Sequence, residues 1–368
     1  MRCTFRNRYA IIITVRIDFR PVGAGVARSL DMGKVIGSNP ILGTIYLRFL
    51  AEIFYSTMQL NATYHWLVTG GAGFIGSHLV KELVRQGQRV TVLDNLSAGS
   101  TENLASVREK IRFIQADICC FDDIKNACQG IDFILHHAAI VSVVQSMSFP
   151  HQTTEVNVGG TLNVLEAARL NGVKRVVFAS SCAVYGNRPE LPYKETTPAD
   201  CQSPYAWSKF AAAALCQLYT QLYHLPTVVL RYFNVYGPGQ NAQSAYGAVI
   251  AKFLQAARQN QPLTIDWDGL QKRDFIHVHD IAQANLIAAL SAAPGETYNV
   301  AGGHSYSILE LADTLEQIVG HPLKKNFSQK RAGDIHDSAA DISKITVLGF
   351  TPTLSLQDGL RQLWEETK

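Results

Sequence analysis

A glycine turn between two apolar runs constrains this fold more than any other feature. From His65 to Asp94 the chain reads HWLVTGGAGFIGSHLVKELVRQGQRVTVLD: an apolar run, spaced glycines, an apolar-periodic segment closed by Gly87, and a second apolar run ending in an acid. That order predicts strand, turn, helix and strand. Gly71, Gly73 and Gly76 satisfy G-x-G-x-x-G, and Gly70, Gly73 and Gly76 the wider G-x-x-G-x-x-G spacing. A turn that admits a diphosphate against bare backbone has no room for a Cβ. Phe74 to Gln86 places Ile75, Leu79, Leu83 and Val84 on one helical face, so free N–H groups and a positive dipole end point at the turn. Asp94 stands 18 residues beyond Gly76, near the spacing at which an acid meets the adenosine ribose hydroxyls. A carboxylate hydrogen-bonds a 2′-hydroxyl but repels a 2′-phosphate, which favours NAD over NADP.

The alternation continues after Asp94. A helix is expected near Thr101 to Lys110, a strand over Arg112 to Gln115, a helix near Asp122 to Cys128 and a strand over Asp132 to His136. Strands separated by such helices imply a parallel sheet wound on both faces, with ligands beyond the strand C-termini. Asp117, Ile118, Ala138 and Ala139 occupy those ends. A long helix, roughly Gln152 to Leu170, carries Asn157 in its first half and Val158, Leu162, Leu165 and Ala168 along one side, and Asn171-Gly172 stops it. The strand Arg175 to Ala179 then delivers Ser180 and Ser181. The polar, proline-rich loop between Tyr185 and Pro204 suits a lip over a site. A helix from Tyr205 to about Tyr223 and a strand from Thr227 to Tyr232 follow.

The expected architecture is therefore α/β: a Rossmann-type doubly wound parallel sheet over residues 65–233, with a smaller C-terminal α/β substrate domain. Residues 234–368 form mainly that second domain, with short strands at Leu263 to Ile265 and Thr297 to Val300 and some return of strand and helix to the first sheet. Residues 1–64 are an atypical leader with eight basic residues against three acidic, which leaves 25 basic against 27 acidic for the remainder. No basic face in the body suggests nucleic acid. The leader's apolar runs are interrupted by Arg48 and Glu52 and are too short to span a bilayer. The leader reads as an ordered or frayed extension, as an Arg-rich and acid-poor targeting segment, or as a start placed too early, with Met58, seven residues before the organising stretch, as the expected start in that last case. Seven cysteines without a C-x-x-C spacing read as reduced thiols of a cytoplasmic protein, and neither His136-His137 nor His277-x-His279 has a third ligand at metal spacing.

Tyr205 and Lys209 are four apart, so on a helix they share a face. A phenol is a poor base at neutral pH, but a nearby ammonium and a positive nicotinamide ring both favour the phenolate. Ser181, 24 residues upstream at a strand end, completes a Ser, Tyr, Lys set behind the dinucleotide fingerprint.

With these motifs the chain resembles the extended short-chain dehydrogenase/reductase family, and within it the UDP-galactose and UDP-N-acetylglucosamine 4-epimerases. The similarity runs from about Trp66 onward through VTGGAGFIGSHLV, LDNLSAG, NVGGTLNVLEAA, ASSCAVYG, SPYAWSK, LRYFNVYGPG, QKRDFIHVHD, YNVAGG and RAGDIHDSAADISK. The resemblance implies NAD contacts at Gly70, Gly73, Phe74, Ile75, Gly76, Asp94, Asn95, Asp117, Ile118, Ala138, Ala139, Asn157, Tyr205, Lys209 and Phe233. It implies UDP-sugar contacts at Ser142, Ser181, Asn234, Val249, Arg273, Arg331, Asp334 and Ser338, with Arg273 and Arg331 on the diphosphate. Tyr205 would take the sugar 4-hydroxyl proton as hydride leaves C4, Ser181 would hydrogen-bond that oxygen, and Lys209 would hold the nicotinamide ribose.

Dehydratases of the family carry an Asp-Glu pair after the serine, and nucleotide-glucuronate decarboxylases a Glu at the second place. Here stand Cys182 and Ala183. Ser338 matches a position where a tyrosine limits some relatives to plain hexoses, so its small side chain leaves space for an N-acetyl group. The expectation is 4-epimerisation of UDP-glucose/UDP-galactose or the N-acetylated pair by a homodimer, with no metal and no membrane partner. The alternatives are another nucleotide-sugar enzyme of the family, such as a UDP-glucuronate epimerase, a dehydratase or an oxidoreductase, and a non-catalytic NAD-binding sensor. Gly239 in place of an arginine and the run Ala211 to Ala214 depart from the family pattern, the latter on a helix that relatives use to dimerise.

Overall fold

Seven parallel strands make the central sheet: β1 (His65–Thr69), β2 (Arg89–Asp94), β3 (Ile111–Gln115), β4 (Phe133–His136), β5 (Arg175–Ser181), β6 (Thr227–Tyr232) and β7 (Thr297–Val300). Their order is β7-β6-β5-β4-β1-β2-β3. The computed structural model describes residues 2–6, 12–16, 62–241, 249–290, 293–329 and 336–366. It divides into Met1–Ile53 and Phe54–Lys368. In the first unit Arg2–Arg6 and Ile12–Arg16 pair antiparallel, with Arg2 opposite Arg16. The second unit holds the central sheet.

Helices cover both faces of the sheet, which is why its strands are continuous apolar runs and not alternating ones. Trp66, Leu67 and Val68 are all fully buried. On one face α1 (Phe74–Arg85) and the 3₁₀ segment Thr101–Lys110 bury Leu79, Leu83 and Leu104 in the same core as Ile281 and Leu286 of a helix late in the chain, Val278–Leu290. On the other, α2 (Phe121–Ala127), α3 (Gly160–Leu170) and α4 (Pro204–Tyr223) bury Ile124, Leu165 and Cys216. The direction of winding reverses between β1 and β4, and crevices that take ligands open beyond the strand ends at such a point.

The segment expected as one helix from Gln152 to Leu170 is a short helix Pro150–Thr154, a π turn Glu155–Gly159 and then α3. The wide turn shifts the helical phase. Thr161, Val164, Leu165 and Ala168 face the core, whereas Leu162, assigned to the buried side from sequence, is 41% exposed. Within the alanine run, Ala212 and Ala213 are buried against the central sheet.

The smaller lobe carries a three-stranded sheet of Asn234–Tyr236, Lys272–His277 and Ser305–Ser307, and a parallel pair of Leu263–Asp266 with Lys325–Ser328. Its core packs Phe253, Ile265, Leu311, Leu315 and Leu360. The helix Ile308–Val319 begins with a capping box of Ser307 and Glu310, which satisfies two backbone donors reciprocally. The helix Val278–Leu290 and β7 return from this lobe to the central sheet.

Candidate active site

Gly70 ends β1 in the left-handed region, with φ of +68°, and a Cβ there would lie 2.6 Å from the Ala138 nitrogen. A Cβ on Gly76 would strike the Gly70 carbonyl. No side chain caps α1 and no acid stands in its first turn, so the N–H groups of that turn face the glycines, as a diphosphate requires. These features fit a dinucleotide. Phe74 and Ile75 are the first two residues of that helix, both half-buried.

Asp94, at the end of β2, accepts from the Ala72 N–H at 2.9 Å and the Leu96 N–H at 2.8 Å. It therefore braces the glycine turn, and two of its four lone-pair positions remain for ribose hydroxyls. Beyond β3, the Asn95 amide donates to Asp117 at 2.8 Å and the Cys119 N–H donates to its other oxygen at 2.8 Å. Burial raises the Asp117 pKa, but these donors outweigh it and the net shift is downward. Ile118 beside it is buried.

Ala138 and Ala139 follow β4, and Asn157 fixes the next residue from both sides. Its carbonyl accepts the Ile140 N–H at 2.8 Å, and its amide donates to the Ile140 carbonyl and to Ser208 Oγ, each at 2.9 Å. The polar chain runs further than the sequence reading reached. Buried His136 joins Thr69 Oγ1 at 2.7 Å to Thr161 Oγ1 at 3.0 Å, and the Thr161 hydroxyl donates to the Asn157 carbonyl. A histidine closing an apolar strand was the signal for it.

Ser181, the last residue of β5, lies opposite Tyr232 of β6; its hydroxyl accepts the Ala183 N–H at 3.2 Å and pulls the pKa of the Tyr205 phenol down. One turn along α4, Lys209 is 4% exposed and donates to the Ala179 carbonyl at 2.9 Å. The three residues thus meet where β5 ends and α4 begins. Their electrostatics differ from the expectation. Burial pushes the Tyr205 phenol up to about 12 against the pull of Ser181, and burial lowers Lys209 to about 8. The ammonium is engaged with a carbonyl, and desolvation outweighs every protein group acting on the phenol.

On the substrate side, Asn234 donates to the Asp274 carbonyl at 3.0 Å, and Arg273 donates to the His336 carbonyl at 2.8 Å. Arg273 bridges Ser338 through the backbone, and the buried Ser338 hydroxyl has no hydrogen-bond partner among the described residues. Cys182, beside Ser181, feels Ser338 and Arg273, although burial dominates and raises its thiol to about 11. Ser142 caps the short helix Val143–Ser148 through Gln145, away from any strand end of its own. Half-buried Val249 opens the helix Val249–Arg258 and packs on the second-lobe core. Phe233 is buried between Tyr185 and Ala301. Arg331 and Asp334 lie outside the described residues. The loop expected as a lip is pinned: Asn299 donates to the Tyr193 carbonyl at 2.9 Å, and Tyr193 stacks on Tyr185. Asp274, buried between the lobes' strands, went unnoticed; a carboxylate opening the apolar run FIHV was its signal.

Residues 66–301 match the NAD dependent epimerase/dehydratase family. The UDP-glucose 4-epimerase of Mycolicibacterium smegmatis is 38% identical over 309 residues, 81% of this chain and 97% of that protein. Among solved structures, the UDP-glucose 4-epimerase of Thermus thermophilus in complex with NAD superimposes with a TM-score of 0.75 at 36% identity, covering 81% of this chain and 96% of the other. The UDP-N-acetylglucosamine 4-epimerase of Methanobrevibacter ruminantium, in complex with UDP-N-acetylmuramic acid, gives 0.79 at 36% identity, covering 83% and 99%. Relatives at 33–34% identity include a dTDP-D-glucose 4,6-dehydratase of Mus musculus and a UDP-glucuronate 4-epimerase of Thermodesulfobacterium geofontis. With its parallel sheet, glycine cradle and Ser181, Tyr205 and Lys209 at one strand end, this chain belongs to the NAD-dependent epimerase/dehydratase family of extended short-chain dehydrogenase/reductases, nucleotide-sugar-modifying enzymes that use NAD.

Proposed function

We propose that the chain interconverts the C4 epimers of a UDP-sugar, UDP-glucose/UDP-galactose or the N-acetylated pair. The observation that carries this is Ser181 acting on the Tyr205 phenol, one helical turn from buried Lys209, with Cys182 and Ala183 directly after the serine. Elimination across C5 and C6 needs an acid and a base beside the sugar, and a thiol held near 11 and a methyl group supply neither. Removing one proton from a 4-hydroxyl needs only the phenol. In this reading Tyr205 takes that proton, Ser181 holds the oxygen, and Lys209 orients the cofactor ribose from beneath β5. The glycines at 70, 73 and 76, with Asp94, Asp117 and the Ala138–Ile140 shelf, hold NAD, which supplies a hydride acceptor that later returns the hydride, so no net redox occurs. Arg273, Asn234 and Ser338, with Arg331 and Asp334, hold the UDP-sugar.

Residues 65–233 serve the cofactor and 234–368 mainly the substrate. A homodimer forms through α4 and the short helix Val143–Ser148, where Val144, Met147, Trp207, Phe210, Leu218 and Leu222 are exposed. Among the described residues no helix is long and apolar enough to cross a membrane, and we place the enzyme in the cytoplasm. The test is a coupled assay offering UDP-galactose and UDP-N-acetylgalactosamine separately, with NADH followed alongside. Conversion of either without net NADH is expected; stoichiometric NADH, or no conversion of either, refutes the reading.

A further inference from the structure

We propose that Asp274 is the positioning residue of the substrate half of the cleft: it locks Asn234, Arg273 and Ser338 into one frame and so governs nucleotide-sugar affinity, not the chemical step. The inference rests on the function proposed above, which assigns those three residues to the UDP-sugar.

Asp274 is fully buried in the strand Lys272–His277. One carboxylate oxygen accepts the Gly302 N–H at 2.8 Å, and the other accepts the Ala340 N–H at 3.4 Å. Its own carbonyl accepts the Asn234 amide at 3.0 Å. Gly302 follows β7 of the central sheet, and a Cβ there would strike the Phe275 carbonyl, so only a glycine brings this N–H so close. Ala340 lies two residues beyond Ser338, and Ser338 is itself held by its N–H on the Lys272 carbonyl at 3.0 Å. One carboxylate therefore joins the end of the cofactor sheet, the strand bearing Arg273 and the segment bearing Ser338. None of these contacts reaches Ser181, Tyr205 or Lys209.

No cation among the described residues bonds to this carboxylate, and burial raises its pKa to about 7 against the pull of the Ala340, Gly302 and Gly303 N–H groups. Protonation puts a donor where two backbone donors already point, so the frame loosens as the pH falls. The profile of an Asp274 variant separates this loosening from the titration of the other groups around it. Its own strand contributes the cations Lys272 and Arg273, and burial raises both Cys182 and Tyr306, the latter on the paired strand. On the segment carrying Ala340, His336 pairs with Asp337 at 3.0 Å.

The experiment compares NAD-loaded wild type and Asp274→Asn by calorimetry with UDP and UDP-glucose from pH 6 to 8.5, with kcat and KM measured in parallel. UDP-glucose is the pH probe because its diphosphate does not titrate in this range. The asparagine amide faces the Ala340 N–H donor to donor, so affinity falls by about 10-fold, KM rises in step, and kcat stays within about two-fold, with NAD content unchanged. Wild-type affinity weakens several-fold, about the same extent, as the pH drops from 8 to 6, and the variant profile is flat. Unchanged affinity in a folded variant, a fall in kcat at constant KM, or matching pH profiles overturn the proposal. Should the variant fail to fold, the wild-type profile decides, and a flat one overturns it. Wild type that binds neither UDP nor UDP-glucose overturns this inference and the proposed function together. Binding without epimerisation overturns the function alone, and the affinity ratio still decides the role of Asp274.

Discussion

A base that must be made by its ligand is the sharpest consequence of this site. Burial holds the Tyr205 phenol at about 12, and the Ser181 hydroxyl pulls against it without prevailing. At pH 7.5 such a phenol is ionised on the order of one part in 10⁴. To work as a base near neutrality it must come down by about 4 units, about 5–6 kcal/mol of differential interaction. One unit charge about 4 Å away in an effective dielectric of about 20 supplies about 4 kcal/mol. Lys209 alone falls short, because even a full unit charge supplies less than is needed and its own pKa is lowered to about 8, so it is only partly charged at slightly alkaline pH. The nicotinamide charge of NAD has to provide the rest. The assay is the phenolate absorbance difference between wild type and Tyr205→Phe, titrated with the protein stripped of NAD and again loaded. The midpoint should lie above pH 10 when stripped and about 3–4 units lower when loaded. Tyr205→Phe should also lower kcat by about 10²–10⁴-fold with NAD retention intact. Equal midpoints in the two states, or a phenylalanine variant keeping more than about a tenth of wild-type kcat, would refute the reasoning.

Three further outcomes are expected. Lys209→Met should stabilise the fold while abolishing turnover. The lysine pKa is depressed on folding, so its charge costs the native state on the order of 3 kcal/mol below pH 8, and that cost fades as pH rises from 8 to 10.5. Thermal melts at pH 7 and pH 10 should differ between the two proteins only at the lower pH; equal melting points at pH 7 would count against it. Gly76→Ala drives a methyl into the Gly70 carbonyl, and NAD content of the purified protein should fall sharply, with a stability loss of about 1–3 kcal/mol by denaturant titration. Ser338→Tyr should cut kcat/KM for UDP-N-acetylgalactosamine at least about 10-fold more than for UDP-galactose, because the new ring occupies space next to Cys182. An unchanged ratio would remove Ser338 from the specificity argument.

The strands were legible because a sheet buried on both faces writes itself as apolar runs, and candidate site residues could be sought at strand ends, where ligands of such a sheet gather. Gly70, Asp94, Asp117, Ala138 and Ser181 all fell there. The π turn at Glu155–Gly159 was not legible, since a one-residue change of helical phase leaves no composition mark and only shows as Leu162 turned outward. The double duty of Asp94 was hidden for a related reason: spacing located the carboxylate without revealing which backbone donors would reach it. The ligand-free state of Tyr205 was not legible because spacing counts charges, whereas its pKa without a cofactor is set mainly by burial. Asp274 escaped because its partners, Gly302 and Ala340, are 28 and 66 residues away and contribute only backbone.

The place of β7 at the edge of the central sheet has a consequence for synthesis. β6 has β5 on one side and β7 on the other, and β7 begins at Thr297, after the chain has left for the second lobe and come back. Until that residue emerges from the ribosome, Thr227–Tyr232 presents a bare row of backbone donors and acceptors, ready to recruit a strand from another nascent chain. The cofactor lobe thus cannot complete itself during translation before most of the polypeptide exists. A fragment cut at the end of β6 keeps every residue of the glycine cradle and the Ser, Tyr, Lys set, yet exposes an aggregation-prone seam. Ordered growth of this enzyme depends on its last sheet strand arriving late and capping what was made early.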